Sequence, residues 1–163
     1  MVKLNQYNVQ NIQGVQNTQI NLANIDISLA GEYYVAAKMH LQGWAACMTL
    51  KNYPGIDILG YNPATGKRSE IQIKTGHNKY TVLTSLDTSN FNTRIQQIKQ
   101  PYVFVHILSV TDIDCYILKP QDFITLAQKT YQNMKVPAQG KKAPVKFKWS
   151  DLLQYKNQWQ NLW

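Results

Sequence analysis

Residues 56–75 leave this chain the least freedom in how it can fold. Ile56 to Tyr61 reads as a short apolar strand, Asn62-Pro63-Ala64-Thr65-Gly66 carries turn chemistry, and Arg68 to Thr75 alternates polar and apolar with a period of two. The pair is predicted to form a β-hairpin. Side chains alternate across a strand, so Glu70, Gln72 and Lys74 share one face while Ile71 and Ile73 take the other and can enter a core. With the turn centred near Ala64, Asp57 falls about opposite Gln72. A slip of one residue would carry the whole row to the wrong face.

The rest of the chain supplies elements for an α/β domain. Ser28 is expected to cap a first helix that runs to about Gln42 and stops at Gly43, and Trp44 to Leu50 follows as a strand. On a helical wheel Leu29, Tyr33, Ala36, Ala37 and His40 form the apolar stripe, with Glu32 on its margin. Past the hairpin, Lys79 to Leu83 reads as a strand, and Asp87 to Lys99 as a loop opening into a short helix that contains Arg94. Tyr102 to Leu108 is a continuous β-rich apolar run expected at the sheet centre, and Asp112 to Leu118 alternates like its neighbour. Gln121 to Met134 and Ser150 to Leu162 read as amphipathic helices, the second with Leu152, Tyr155, Trp159 and Leu162 on one stripe. The predicted order is α-β-β-β-β-α-β-β-α-α. Of the three histidines, His40 and His106 are expected in the core and His77 on the surface.

At 163 residues the chain is expected to form one domain, 28–163, behind an Asn/Gln-rich segment, 1–27. The first 24 residues hold eleven Asn or Gln and no acid, and no single period wins there, so the segment's role stays open. No apolar run reaches the roughly 18 residues a membrane span needs. A signal-peptide pattern is missing too, so a cytoplasmic location is expected. Cys47 and Cys115 are too few for a disulfide framework or a zinc site and are expected as buried thiols. There is no P-loop, dinucleotide fingerprint or internal repeat.

Charge points to a polyanionic partner. Seventeen Lys and Arg against nine acids give a net charge of +8. Six lysines fall between Lys129 and Lys148 with no acid, and Pro137, Gly140 and Pro144 mark the stretch as an open, mobile basic arm. Such a run suits phosphate contacts with DNA or RNA, and it also suits a solubilising loop. The acids are as informative as the lysines. Only two Glu occur in the chain, Glu32 and Glu70.

The grouping of Pro54-Gly55-Ile56-Asp57 with Gln72-Ile73-Lys74, preceded by Gly31-Glu32-Tyr33-Tyr34 in a helix, resembles the PD-(D/E)XK nuclease superfamily in its Gln-x-Lys variant. The resemblance spans roughly Ser28 to Thr75, and weaker similarity to the tail of bacterial members continues through Trp149-Ser150-Asp151 and Tyr155 to Trp159. The chain departs from the family pattern where Gly55 and Ile56 separate Pro54 from Asp57, and where Gln72 replaces the second acid. The resemblance implies a restriction endonuclease-like mixed central sheet flanked by helices, and Mg²⁺-dependent DNA hydrolysis for which Mn²⁺ can substitute. It places Asp57, Gln72, Lys74 and Glu32 at the catalytic centre.

That chemistry has a physical logic. A phosphodiester is anionic and resists attack, so its hydrolysis needs charge neutralisation and an activated water. Mg²⁺ prefers oxygen ligands and takes only one or two protein carboxylates. Asp57 is the first expected ligand, Glu32 the second, and the Gln72 side-chain carbonyl or the Ile73 backbone carbonyl could add a neutral oxygen. Lys74 can orient the attacking water, stabilise developing charge, or act as base if its pKa is lowered. Glu70 can stand in for the missing carboxylate or pair at the sheet edge. Lys79, Arg94, Lys141, Lys142 and His77 are expected on phosphates. A homodimer or higher symmetric assembly is expected because one site cuts one strand, with the C-terminal aromatic helix as the candidate interface. Restriction, homing, mobile-element maintenance and repair all fit. Two other readings stay open: a nucleic-acid-binding module that kept the fold without metal affinity, and an assembly subunit acting through its Asn/Gln-rich arm and Trp-rich tail.

Overall fold

The computed structural model describes residues 24–50, 55–135 and 141–163, with side chains from Ile27 onward. Pro54, Pro137, Gly140 and the Asn/Gln-rich stretch before Asn24 lie outside the described residues. The elements are α1 (Asn24–Leu41), β1 (Ala45–Met48), β2 (Ile58–Tyr61), β3 (Arg68–Gly76), β4 (Thr81–Asp87), the one-turn α2 (Phe91–Arg94) running into a 3₁₀ turn (Ile95–Gln97), β5 (Tyr102–Ile107), β6 (Ile113–Leu118), α3 (Pro120–Gln132), β7 (Pro144–Lys148), and 3₁₀ helices at Trp149–Tyr155 and Trp159–Leu162.

Five strands form a mixed sheet in the order β1-β2-β3-β5-β6, parallel only between β3 and β5, and β4 pairs with β7 in a separate two-stranded ribbon. The hairpin forms as its turn residues dictate. Asn62 Oδ1 accepts the N–H groups of Ala64 at 2.9 Å and Thr65 at 3.2 Å, and Gly66 takes a positive φ of 70° that a Cβ would disfavour. Ile58 pairs with Ile71, which sets the register of everything downstream.

The sheet divides the core into two layers, and the period of β5 shows how. Val103, Val105 and Ile107 face α1 together with Ile71, Ile73, Val35 and Met39, while Tyr102 and Phe104 face Phe123 of α3 and Phe147 of β7. The result is a single compact α/β domain, a mixed sheet with helices on both faces.

Several expectations are corrected. Helix α1 spans Asn24–Leu41, so Ser28 lies inside it and is not its cap. Its buried face is Ile27, Gly31, Val35, Ala36 and Met39; Tyr33, Ala37 and His40 are exposed. Apolar residues surround this helix, so periodicity alone could not choose a face. Cys47 is exposed, and only Cys115 is the expected buried thiol, its pKa pushed up to about 12 by burial.

The basic stretch is no simple open arm. Lys129 lies in α3, and Pro144–Lys148 is a strand whose Val145 and Phe147 point inward while Lys146 and Lys148 point out. In place of one C-terminal helix there are two 3₁₀ segments. Between them Lys156 bridges to Tyr116, and Asn157 holds φ at 56° as its N–H donates to the Cys115 carbonyl at 2.9 Å. Of the tail tryptophans, Trp149 is buried, Trp159 is half-buried and Trp163 is exposed. Trp149 stacks on His106 at 4.0 Å, and Trp163 stacks on Trp44 at 4.3 Å.

Candidate active site

Strand β3 changes partners halfway along its length. Its Arg68–Ile71 half pairs with β2 on one edge, and its Gln72–Gly76 half pairs with β5 on the other. Asp57 sits where β2 parts from β3. Its backbone N–H still donates to the Ile71 carbonyl at 2.8 Å, and since Ile58 lies opposite Ile71, Asp57 faces Gln72 as the turn predicted. The side chain then continues the ladder. Asp57 Oδ2 accepts the Ile73 N–H at 2.6 Å and Gln72 Nε2 at 2.5 Å, while Oδ1 meets no donor among the described residues. A strand residue directs its N–H and C=O toward the same edge, so the Ile73 carbonyl faces the same gap. Gln72 is buried, and its Oε1 lies on the Gly55 side, 3.7 Å from where a Cβ there would stand.

Lys74 is the next residue in the row. Burial pushes its pKa below the ordinary lysine value; Asp57 and Glu32 pull it back up, and Arg94 adds to the lowering. These interactions put Glu32 from α1 and Arg94 from α2 in the electrostatic surroundings of the lysine. Gly31 explains how the helix brings its glutamate there. A Cβ at Gly31 would overlap Thr75 Oγ1 on β3, so only glycine lets the helix lie this close to the strand. Arg94 is placed by the turn that ends β4. Asp87 Oδ1 accepts the N–H of Ser89 at 2.7 Å and of Asn90 at 3.1 Å, α2 follows at once, and Arg94 Nη1 donates to the Ser85 carbonyl at 2.9 Å. Those contacts hold the Asp87 carboxyl below its ordinary value, with the Ser89 hydroxyl the largest cause.

Gln72, Lys74 and Arg94 border a cleft of about 380 Å³ with Ser85, Gln97, Gln100 and Tyr102, while Asp57 and Glu32 stand outside its lining. Gln100 Nε2 donates to the Gly55 carbonyl at 3.0 Å and closes one end. Ser85 Oγ and Tyr102 Oη lie 3.2 Å apart, and burial raises the Tyr102 pKa, which keeps the phenol protonated as a donor. Sequence reasoning missed Ser85, Gln97, Gln100 and Tyr102. One signal for two of them was present: Arg94, Gln97 and Gln100 recur every third residue, with Ile95 and Ile98 buried between them.

The other expected residues lie elsewhere. Glu70 is exposed and does not line the cleft. His77 and Lys79 are exposed after β3, with Lys79 Nζ 5.5 Å from the Tyr80 ring centre. Lys141 and Lys142 are exposed ahead of β7. None of these four basic residues reaches the cleft lining. His106 is buried as expected.

No three His, Cys, Asp or Glu side chains gather as a metal site among the described residues. The oxygens on offer are Asp57 Oδ1, Gln72 Oε1 and the Ile73 carbonyl, with Glu32 nearby as a second carboxylate. This is a hard-oxygen set with few charges, which fits a cation that keeps most of its waters. No protein-family model, curated protein or solved structure matches the chain.

Proposed function

We propose that this protein is a metal-dependent endodeoxyribonuclease with a restriction endonuclease-like fold. The observation that carries the reading is the Asp57–Gln72 pair where β2 parts from β3, with Lys74 next in the row and Glu32 in the electrostatic surroundings of that lysine. A bound Mg²⁺ or Mn²⁺ would polarise the scissile phosphate and lower the pKa of a water. Asp57, held by Gln72 Nε2 and the Ile73 N–H, and Gln72 would present oxygens to such an ion, and Glu32 would add charge from the helix side. Lys74 holds the attacking water and balances the charge that develops on the phosphate. Its burial eases proton release from Nζ. Arg94, fixed to Ser85, offers its remaining N–H donors to a non-bridging oxygen.

A second reading has its own observation. Asp57 Oδ2 is already satisfied by Gln72 and Ile73, as in a nucleic-acid-binding module that dispenses with metal. Incubating supercoiled plasmid with Mg²⁺ or Mn²⁺ separates the two. The wild-type protein is expected to nick it, and Lys74→Ala to lose about 10²–10³-fold in rate, the usual cost of removing one charge-stabilising group. Asp57→Ala is expected to be inactive. Equal activity in all three proteins would remove the assignment. DNA binding without cleavage at any metal concentration would favour the module.

A further inference from the structure

A second groove, of about 590 Å³, opens on the far side of Gln100 from the cleft, and Gln100 lines both. Three exposed cations border it: Arg68 at the start of β3, Lys99 just before β5 and Lys119 just after β6. They are far apart in sequence and meet because of strand register. Gln72 pairs with Tyr102, and Tyr102 with Leu118, so the residues flanking these pairs gather at one end of the sheet. None of the three makes an ion pair among the described residues, and Glu70 is the one acid in the lining. Arg68 shares its strand face with Gln72 and Lys74. Arg68 lies four steps along the strand before Gln72, about 13 Å at about 3.3 Å each. One strand of a duplex advances about 3.4 Å along its axis per phosphate, so the distance covers about four phosphates.

We propose that Arg68, Lys99 and Lys119 hold the phosphates of the DNA strand leading away from the cleft, with Gln100 at the junction. This rests on the endonuclease reading and adds the path its substrate takes. Glu70 acts against binding there, so Glu70→Gln tightens it. The tail residues Asn161 and Trp163 also line the groove.

The test compares two triple variants that remove equal charge. One is Arg68→Gln/Lys99→Gln/Lys119→Gln; the other, Lys129→Gln/Lys146→Gln/Lys148→Gln, strips the separate groove between α3 and β7. Affinity for a labelled duplex is measured in Ca²⁺ across a salt series, with melting temperature as a fold check and plasmid nicking followed in parallel. The first variant is expected to bind at least about tenfold more weakly and to lose about 2.7 from the salt slope, about 0.9 for each lost phosphate contact. The second is expected to bind within about threefold of wild type. Equal losses in both would mean that net charge, not this groove, carries the binding and would overturn the proposal. Unchanged binding in the first variant, or no binding by the wild type, would overturn it as well. Nicking by the wild type and its loss in Asp57→Ala report on the endonuclease reading separately.

Discussion

Gly31 and Thr75 show how much a single missing atom contributes to this site. The helix that brings Glu32 lies so close to β3 that a methyl group at Gly31 has nowhere to go, so Gly31→Ala is expected to cost about 1–3 kcal/mol, as overpacking usually does. Urea unfolding measures that cost. Thr75 Oγ1 is buried against this contact without a hydrogen-bond partner among the described residues, so Thr75→Val should be neutral or stabilise by about 1 kcal/mol. The sequence disclosed the Asp57–Gln72 pairing because Asn62 and Gly66 fix the turn and the turn fixes the register. It did not disclose the close approach at Gly31, since nothing in a lone glycine says which neighbour needs the space. The cleft glutamines were hidden for a related reason. An uncharged amide carries no pattern until the elements around it are placed.

The edges of the elements separate what was legible from what was not. Strand β7 shows the period of two plainly, with Val145, Phe147 and Trp149 inward and Lys146 and Lys148 outward, yet the lysines dominate the composition and suggest a charged loop. Pairing with β4 decides the matter, and Leu83 opposite Lys146 could not be read locally. The C-terminal tail has helical spacing but a different fate. Lys156 bonds to Asp114 at 2.8 Å, Asn157 bonds to Cys115, and a continuous helix could not make both while reaching back over the sheet. Leu162 then plugs the α1 layer. Its carbonyl accepts Ser69 Oγ at 2.5 Å, and Asn161 Nδ2 donates to the Ile117 carbonyl at 2.8 Å. Leu162→Ala is therefore expected to cost about 2–5 kcal/mol, the range for buried leucines. Chemical denaturation checks this.

The domain as a whole should be sensitive to acid through His106. Burial lowers its pKa below the ordinary value; the Asn78 backbone, Asp114 and Asp112 oppose this. A depressed folded-state pKa means that the unfolded chain takes up the proton first. Stability is thus full above about pH 6.5 and declines as pH falls from there toward the folded-state pKa. The melting temperature should drop between pH 7.5 and 5.5, and His106→Gln should flatten that drop. No helix among the described residues is long and apolar enough to cross a membrane.

The Ile73 amide offers a last consequence. Its neighbours in β3 are protected by the sheet, but its own hydrogen is held by the Asp57 carboxylate alone. Asp57→Ala should therefore speed deuterium uptake at this one position while Gln72, bonded to Pro101 at 3.1 Å, keeps its slow exchange. A single backbone proton would then report on the carboxylate's placement with no DNA in the tube.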